Sequence, residues 1–362
     1  MASSQEDGAA AAAEQLGSMT LSGSEERTDD ETTAENGTPA AKFCSTCGEK
    51  SDTLKKCTAC KCIWYCDKEC QNKHRKEHKK ECRPIKKELG KRGGKLDLGT
   101  ELDVGPLGKL PQREECPICM RAVPIHAALR SYFACCGKTI CCGCVFHHKI
   151  RILEQAAERG QKPETVVPTC AFCREPMPTS NEEMLARTRK RVERNDPVAL
   201  CNLAMAYGDG DFGLPVDQPK CTELLRQSAG LGYPIAHYQL GNFHDDGAMG
   251  LEQNEEKVSK YYKEAAESGH IAARHNLGCI EANSNGNFVA AMGHWRLSAS
   301  EGERFSMESL IICFGNGLLH HGDLAETLQA MYLARAEMKS EDRDQYIAYL
   351  KKTGEYREEY ER

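Results

Sequence analysis

Eight metal-ligating side chains stand in one short string, Cys44-x2-Cys47-x9-Cys57-x2-Cys60-x5-Cys66-x3-Cys70-x7-His78-x3-Cys82. Thiolates and imidazole are the donors that tetrahedral zinc takes, and eight of them serve two ions. A second string follows: Cys116-x2-Cys119, Cys135-Cys136, Cys141-Cys142-x-Cys144 and Cys170-x2-Cys173. Of the 21 cysteines, 17 fall between Cys44 and Cys173. Paired at that density in a reducing compartment, they read as metal knuckles rather than a disulfide framework. The N-terminal MASSQEDGAAAAAEQ has no basic start and no apolar stretch long enough for a signal peptide, and no run of about 18 apolar residues occurs anywhere. The expected location is intracellular, cytoplasmic or nuclear, with no membrane partner.

A segment of about 40 residues cannot bury enough apolar surface to fold alone, so metal must supply the folding energy, on the order of 10–16 kcal/mol per structural zinc. The order CSTC, CTAC, YCDKECQ, HKKEC, with Tyr65 before Cys66 and Gln71 after Cys70, resembles a MYND finger. The resemblance implies two interleaved sites, Cys44, Cys47, Cys66 and Cys70 on one ion and Cys57, Cys60, His78 and Cys82 on the other. It also implies binding of short proline-containing peptides beside an aromatic residue on the finger's helix, where this chain has Arg75. Cys62 and His74 are left over as bystanders. Sites closed by four protein ligands cannot activate water, so this zinc is expected to be structural. Some MYND proteins are lysine methyltransferases with a split catalytic domain, but this chain has repeats and a second cysteine string where that domain would have to lie, and the methyltransferase reading is rejected.

The second string resembles a RING finger, which implies Cys116, Cys119, Cys141 and Cys144 on one ion and Cys136, Cys170 and Cys173 on the other. The usual histidine is replaced by Lys138, whose ammonium cannot coordinate. Cys135 is the substitute, with His147 or His148 and a one-zinc form as alternatives. The expected cofactor is therefore Zn2+, two ions in the first finger and one or two in the second. In the RING family an apolar groove recruits a ubiquitin-conjugating enzyme, and Ile118, Pro176 and Arg174 hold the matching positions. Such a ligase positions a thioester and needs no nucleophile of its own.

These ligands need elements to hold them. Residues 1–41 carry nine acidic side chains and the single Arg27, the composition of a disordered tail. The fold class expected is multidomain: small zinc-stabilised α+β fingers at 42–84 and 113–180, joined by a basic Gly-rich linker at 85–112, then an all-α helical-repeat solenoid at 195–340. A charged helix at 341–362 is expected to cap its open end. Ala199-x3-Leu203, Ala236-x3-Leu240 and Ala273-x3-Leu277 recur at a spacing of 37, and the units close on Gly232, Gly269 and Gly302, the last interval shortening to 33. Leu225, Tyr262 and Trp295 recur in the second helix of each unit, where they would pack on small residues of the first. KYYKEAAESGHIAARHNLG (260–278) resembles SEL-one-like repeats, relatives of tetratricopeptide repeats, over 196–302. A fourth, degenerate unit spans 305–336.

From Lys73 to Lys95 there are eleven Lys or Arg against three acidic residues. No aromatic residue interleaves to stack bases, and the whole chain carries −6, so a solvated helix face is favoured over nucleic-acid binding. His320, His321, Met307 and the cysteines of the repeats read as helix-face or core residues. No catalytic or small-molecule site is expected. The resulting reading is a zinc-binding adaptor that takes peptides at the first finger and proteins at the repeats. The alternative is a RING-type ubiquitin ligase whose first finger and repeats select substrate.

Overall fold

The computed structural model describes residues 42–51, 53–97, 99–105 and 113–357, so the acidic tail expected at 1–41 lies outside the described residues. The chain forms two compact units, each built from two separate stretches: Met1–Gly108 with Gly278–Ala334, and Lys109–Leu277 with Arg335–Arg362. Instead of a linear run of modules, each finger shares a unit with helices from far along the chain. Among the described residues, no helix is long and apolar enough to cross a membrane.

In the first unit, β1 (Lys55–Lys56) pairs antiparallel with β2 (Trp64–Tyr65). Helix α1 (Lys68–Lys91) follows, started by the Asp67 carboxylate, which accepts from the Cys70 N–H and satisfies one of the free donors of the first turn. His74, His78, Glu81, Ile85 and Leu89 are its buried face, a stripe at helical spacing. The helix runs through Pro84, so residues 85–91, expected as linker, extend the finger's own helix. Its far end is anchored by Arg92, whose guanidinium lies 4.2 Å over the Phe314 ring, donates to the Phe314 carbonyl at 3.2 Å and pairs with Glu101.

The second unit holds the other finger and the first repeats. Strands β3 (Arg130–Phe133) and β4 (Lys138–Cys141) form an antiparallel hairpin, and α2 (Cys142–Glu158) starts directly from it. Helix α3 (Asn181–Val192) leads to the repeats: α4 (Pro197–Asp209), α5 (Gln218–Gly230), α6 (Pro234–Asp246), α7 (Glu255–Glu267) and α8 (Ile271–Asn283). The series continues as α9 (Phe288–Ser300), α10 (Arg304–Gly315) and α11 (His321–Glu337). Pro197 and Pro234 open α4 and α6, and left-handed Gly210 and Gly247 end them, which is where each residue fits best.

Ala199, Ala236 and Ala273 are fully buried, as are Leu225 and Trp295, and Tyr262 is buried with them. The pairing of large with small is tight: a Cβ on Gly241 would stand 2.6 Å from the Tyr262 ring, and one on Gly278 2.5 Å from Trp295 Nε1. The same position in the first repeat is Ala204, where the large partner is the smaller Leu225. The fourth helix pair, α10 and α11, shares a core with the first finger, in which Ile63, Tyr65, Ile85 and Leu89 pack with Trp295, Phe314, Leu328 and Met331.

Helix α12 (Glu341–Thr353) is the helix expected to cap the repeats. Its packed partner is the finger helix α2. Phe146 lies 5.5 Å from Tyr346 and 4.9 Å from Tyr349, and Gly143 leaves so little room that a Cβ would meet the Arg343 backbone nitrogen at 2.7 Å.

Candidate metal centres

Four sets of donors converge, each with its ligand atoms within 4.8 Å of one another: Cys44, Cys47, Cys66 and Cys70; Cys57, Cys60, His78 and Cys82; Cys116, Cys119, Cys141 and Cys144; Cys135, Cys136, Cys170 and Cys173. In the first finger the knuckle loops supply Cys44, Cys47, Cys57 and Cys60, and α1 supplies Cys70, His78 and Cys82 across three turns. Each loop folds back on a backbone bond, Gly48 N–H to the Cys44 carbonyl at 2.8 Å and Lys61 N–H to the Cys57 carbonyl at 2.9 Å. In the second finger Met120 N–H bonds the Cys116 carbonyl at 2.9 Å and Arg174 N–H the Cys170 carbonyl at 3.0 Å. The hairpin aims Cys135 and Cys136 at one set and Cys141 at the other.

The distances suit zinc. A tetrahedral ion with bonds of about 2.3 Å to sulfur holds its sulfurs about 3.8 Å apart. The separations are 3.4 Å for Cys47–Cys66, 3.4 Å for Cys66–Cys70, 3.8 Å for Cys57–Cys82, 3.9 Å for Cys119–Cys141, 3.9 Å for Cys136–Cys170 and 3.4 Å for Cys135–Cys173. All of these cysteines are free. Thiols this close perturb one another: hydrogen bonds from Cys60 and Cys82 pull Cys57 down, while Cys57 and Cys60 push Cys82 up. Likewise Cys141 and Cys144 pull Cys116 down, and Cys116 and Cys141 push Cys144 up. A dication at the centre would favour the thiolate at every corner.

Cys135 completes the fourth set, whereas His147 and His148 stand elsewhere. His148 Nε2 lies 3.0 Å from Thr169 Oγ1 and faces the Arg174 guanidinium, and His147 lies 3.4 Å from Asp342. Arg191 of α3 fixes the Cys135 turn by donating to the Ala134 and Cys135 carbonyls, each at 2.8 Å. Tyr132 donates to Asp196 at 2.6 Å, and the other oxygen of Asp196 caps α4. The second finger is thereby joined to the first repeat.

Neither Cys62 nor His74 belongs to a set. The Cys62 thiol sits 3.4 Å from His321 Nε2, and His74 stacks on His78 at 5.8 Å with its Nδ1 3.2 Å from the Tyr65 hydroxyl. His321, read from sequence as a core residue, also donates to the Cys60 carbonyl at 2.9 Å. A further group, Asp97, Glu101 and His320, brings its donor atoms equally close. The Arg92–Glu101 pair and the 3.6 Å contact of His320 with Asp97 account for that group without an ion. Arg75 is exposed on α1.

Family models match two parts of the chain: the MYND finger over 44–82, and the Sel1 repeat over 197–233 and 234–270. A curated relative, the histone-lysine N-methyltransferase ASHR1 of Arabidopsis thaliana, is 40% identical over 50 residues, 14% of this chain and 10% of its own length. The chain thus spans about a tenth of that relative. Among solved structures, a Sel1 repeat protein from Oxalobacter formigenes aligns with TM-score 0.32 and 26% identity over 35% of this chain and 96% of its own. The antigen c5321 of uropathogenic Escherichia coli, described as displaying an SLR fold, aligns with TM-score 0.33 and 25% identity over 38% of this chain and 30% of its own.

Proposed function

We propose that a chain carrying a MYND finger, Sel1 repeats and a second set of zinc knuckles is an intracellular adaptor that binds proteins and uses zinc only as structure. The carrying observation is the four closed donor sets. Four protein ligands fill a tetrahedral shell and leave no place for water or substrate on the ion. All sixteen side chains act as ligands in this reading, with two ions in each finger. MYND and Sel1 modules are protein-interaction modules, and here the first would take short peptides and the repeats whole proteins. Nucleic acid is not among the proposed partners.

Native mass spectrometry of the full chain tests the reading. Four zinc ions are expected, falling when Cys135→Ser opens the fourth set, whereas two or fewer in the wild type would overturn the second finger as a metal module. A second reading, a ubiquitin ligase, draws support from one feature. Ile118, Met120 and Phe172 are exposed on or beside the two Cys-x2-Cys knuckles of the second finger, apolar side chains in position to meet a conjugating enzyme. It requires ubiquitin chains that depend on such an enzyme and vanish in Ile118→Ala or Arg174→Ala, and an inactive wild type ends it.

A further inference from the structure

The two C-terminal helices each place one buried polar side chain on a proposed zinc ligand. On α11 it is Tyr332. Its hydroxyl donates to Glu81 Oε2 at 2.7 Å and stands 3.2 Å from His78 Nδ1. A hydroxyl has one proton, and here the carboxylate takes it, so toward His78 the phenol oxygen accepts. His78 Nδ1 therefore carries the ring's hydrogen and Nε2 keeps a free lone pair, the tautomer a metal ligand needs. Nε2 points the right way, 3.4 Å from Cys60 Sγ. Glu81 is buried on α1, one turn beyond His78, and its other oxygen faces Arg304 Nε at 3.9 Å.

The same face of α11 holds the knuckle itself. His321 donates to the Cys60 carbonyl and Gln329 to the Cys62 carbonyl, each at 2.9 Å. Positions 321, 329 and 332 lie eight and three residues apart, on one side of a helix. The Tyr332 and His74 rings also meet edge to face, with centroids 4.3 Å apart, so the non-ligand histidine packs against the same hydroxyl-bearing ring.

On α12 the side chain is Arg343, buried in the second unit. One guanidinium nitrogen lies 3.6 Å from Cys119 Sγ, and another donates to the Ala122 carbonyl at 2.8 Å and to the Met338 carbonyl. Four thiolates around a dication leave a formal charge of two minus. A guanidinium donating to one of those sulfurs offsets part of that charge and orients the ligand.

We infer that α11 and α12 form the outer shell of one zinc site in each finger, with Tyr332 positioning His78 and Arg343 positioning Cys119. The inference rests on the zinc reading above. It makes metal retention a property of the whole unit, because each of these ions is held partly by residues more than 200 positions away in sequence. By linkage, whatever displaces α11 or α12 must weaken the corresponding ion, and loss of the ion must loosen the helix.

The test uses the full zinc-loaded chain, a colorimetric chelator to follow release, and cobalt substitution to identify the ion released. The set with His78 is the one proposed site with a nitrogen ligand, so its cobalt spectrum is distinct. Tyr332→Phe keeps the ring and removes the hydroxyl. It is expected to release the His78-bound ion about tenfold or more faster, the scale of an outer-shell loss, and to leave the all-cysteine ions unchanged. Arg343→Lys should speed release of one all-cysteine ion and leave the His78 ion unchanged. Equal acceleration of all ions in either variant, or none, overturns the inference, whereas a wild type that binds no zinc overturns the zinc reading instead.

A second measurement alters neither residue. The chain has two tryptophans, so in a Trp64→Phe background the buried Trp295 alone reports on the repeat packed with α11. Its emission should move to the red as the His78-bound ion is stripped. Emission unchanged after complete stripping would also overturn the coupling.

Discussion

The two fingers solve the same problem with different ligands and different supports. In the first, three of the eight donors come from one 24-residue helix, and one donor is an imidazole. In the second, α2 contributes Cys144 in its first turn, and the remaining donors come from loops and the hairpin. The supports differ accordingly. An imidazole has a second nitrogen that must be given a partner, and a hydroxyl backed by a carboxylate provides it. A thiolate has no second nitrogen but carries full charge, and a cation answers it. Ligand chemistry thus sets what the distant helix must bring: Tyr332 in one unit, Arg343 in the other.

The largest effect should come from stripping the metal, since structural zinc contributes on the order of 10–16 kcal/mol to a small finger. The two fingers should lose their structure differently. Helix α1 is held by ligands over three turns, so its amides from Cys70 to Cys82 should lose protection against hydrogen exchange together with the metal. Helix α2 is held beyond Cys144 by α12, through Phe146, Tyr346 and Tyr349, and its later turns should stay protected longer. Equal loss of protection in both helices would erase the distinction.

How much of this could be read in advance depends on whether the signal is local. The sixteen candidate ligands are legible because thiols and imidazole at knuckle spacing have few other uses, and the structure gathers the same residues in four sets. Cys135 could be singled out because Lys138 cannot ligate. The repeats are legible because a spacing of 37 recurs, and the helix starts at Pro197, Pro234 and Ile271 keep it. What no spacing reveals is the return of the chain: α12 on α2, and Tyr332 on His78 across 254 residues. Nor does Pro84 end α1. A proline costs one backbone bond and some strain, and here Ile85, Leu89 and Arg92 bury enough against the same core to carry the helix through.

Smaller effects should follow from the large-to-small fit of the repeats. Gly241→Ala and Gly278→Ala each place a methyl group inside contact distance of a buried ring, and overpacking of this kind typically costs about 1–3 kcal/mol. Gly278→Ala should cost more, because Trp295 is larger than Tyr262 and shares its core with the first finger. Combining Gly241→Ala with Tyr262→Leu recreates the Ala204 and Leu225 pairing of the first repeat and should recover part of the loss. Chemical denaturation of the single and double variants measures the coupling. Strict additivity would show that the two positions do not fit one another as described.

The smallest effect separates the units by pH. His270, in the second unit, caps α8 by accepting the Ala273 N–H at its Nδ1, 3.1 Å away, and stacks on Tyr238 at 4.3 Å. Burial, reinforced by the positive charge of Arg130, holds it down to about 3 from an ordinary 6.5. Protonation would put a hydrogen on Nδ1 and remove the cap. With the folded value below the unfolded one, the unfolded chain binds the proton first as pH falls. The stability is therefore fully present above the unfolded value and drains away from about pH 6.5 toward about pH 3. Between about pH 7.5 and about pH 5.5 the loss should be about 1.4 kcal/mol. His270→Asn keeps a capping side chain but does not titrate. Acid also weakens zinc binding in both proteins, so the difference between their urea midpoints across that range isolates His270. The second unit of the wild type should lose ground on the variant as pH falls, and parallel curves would place the proton elsewhere.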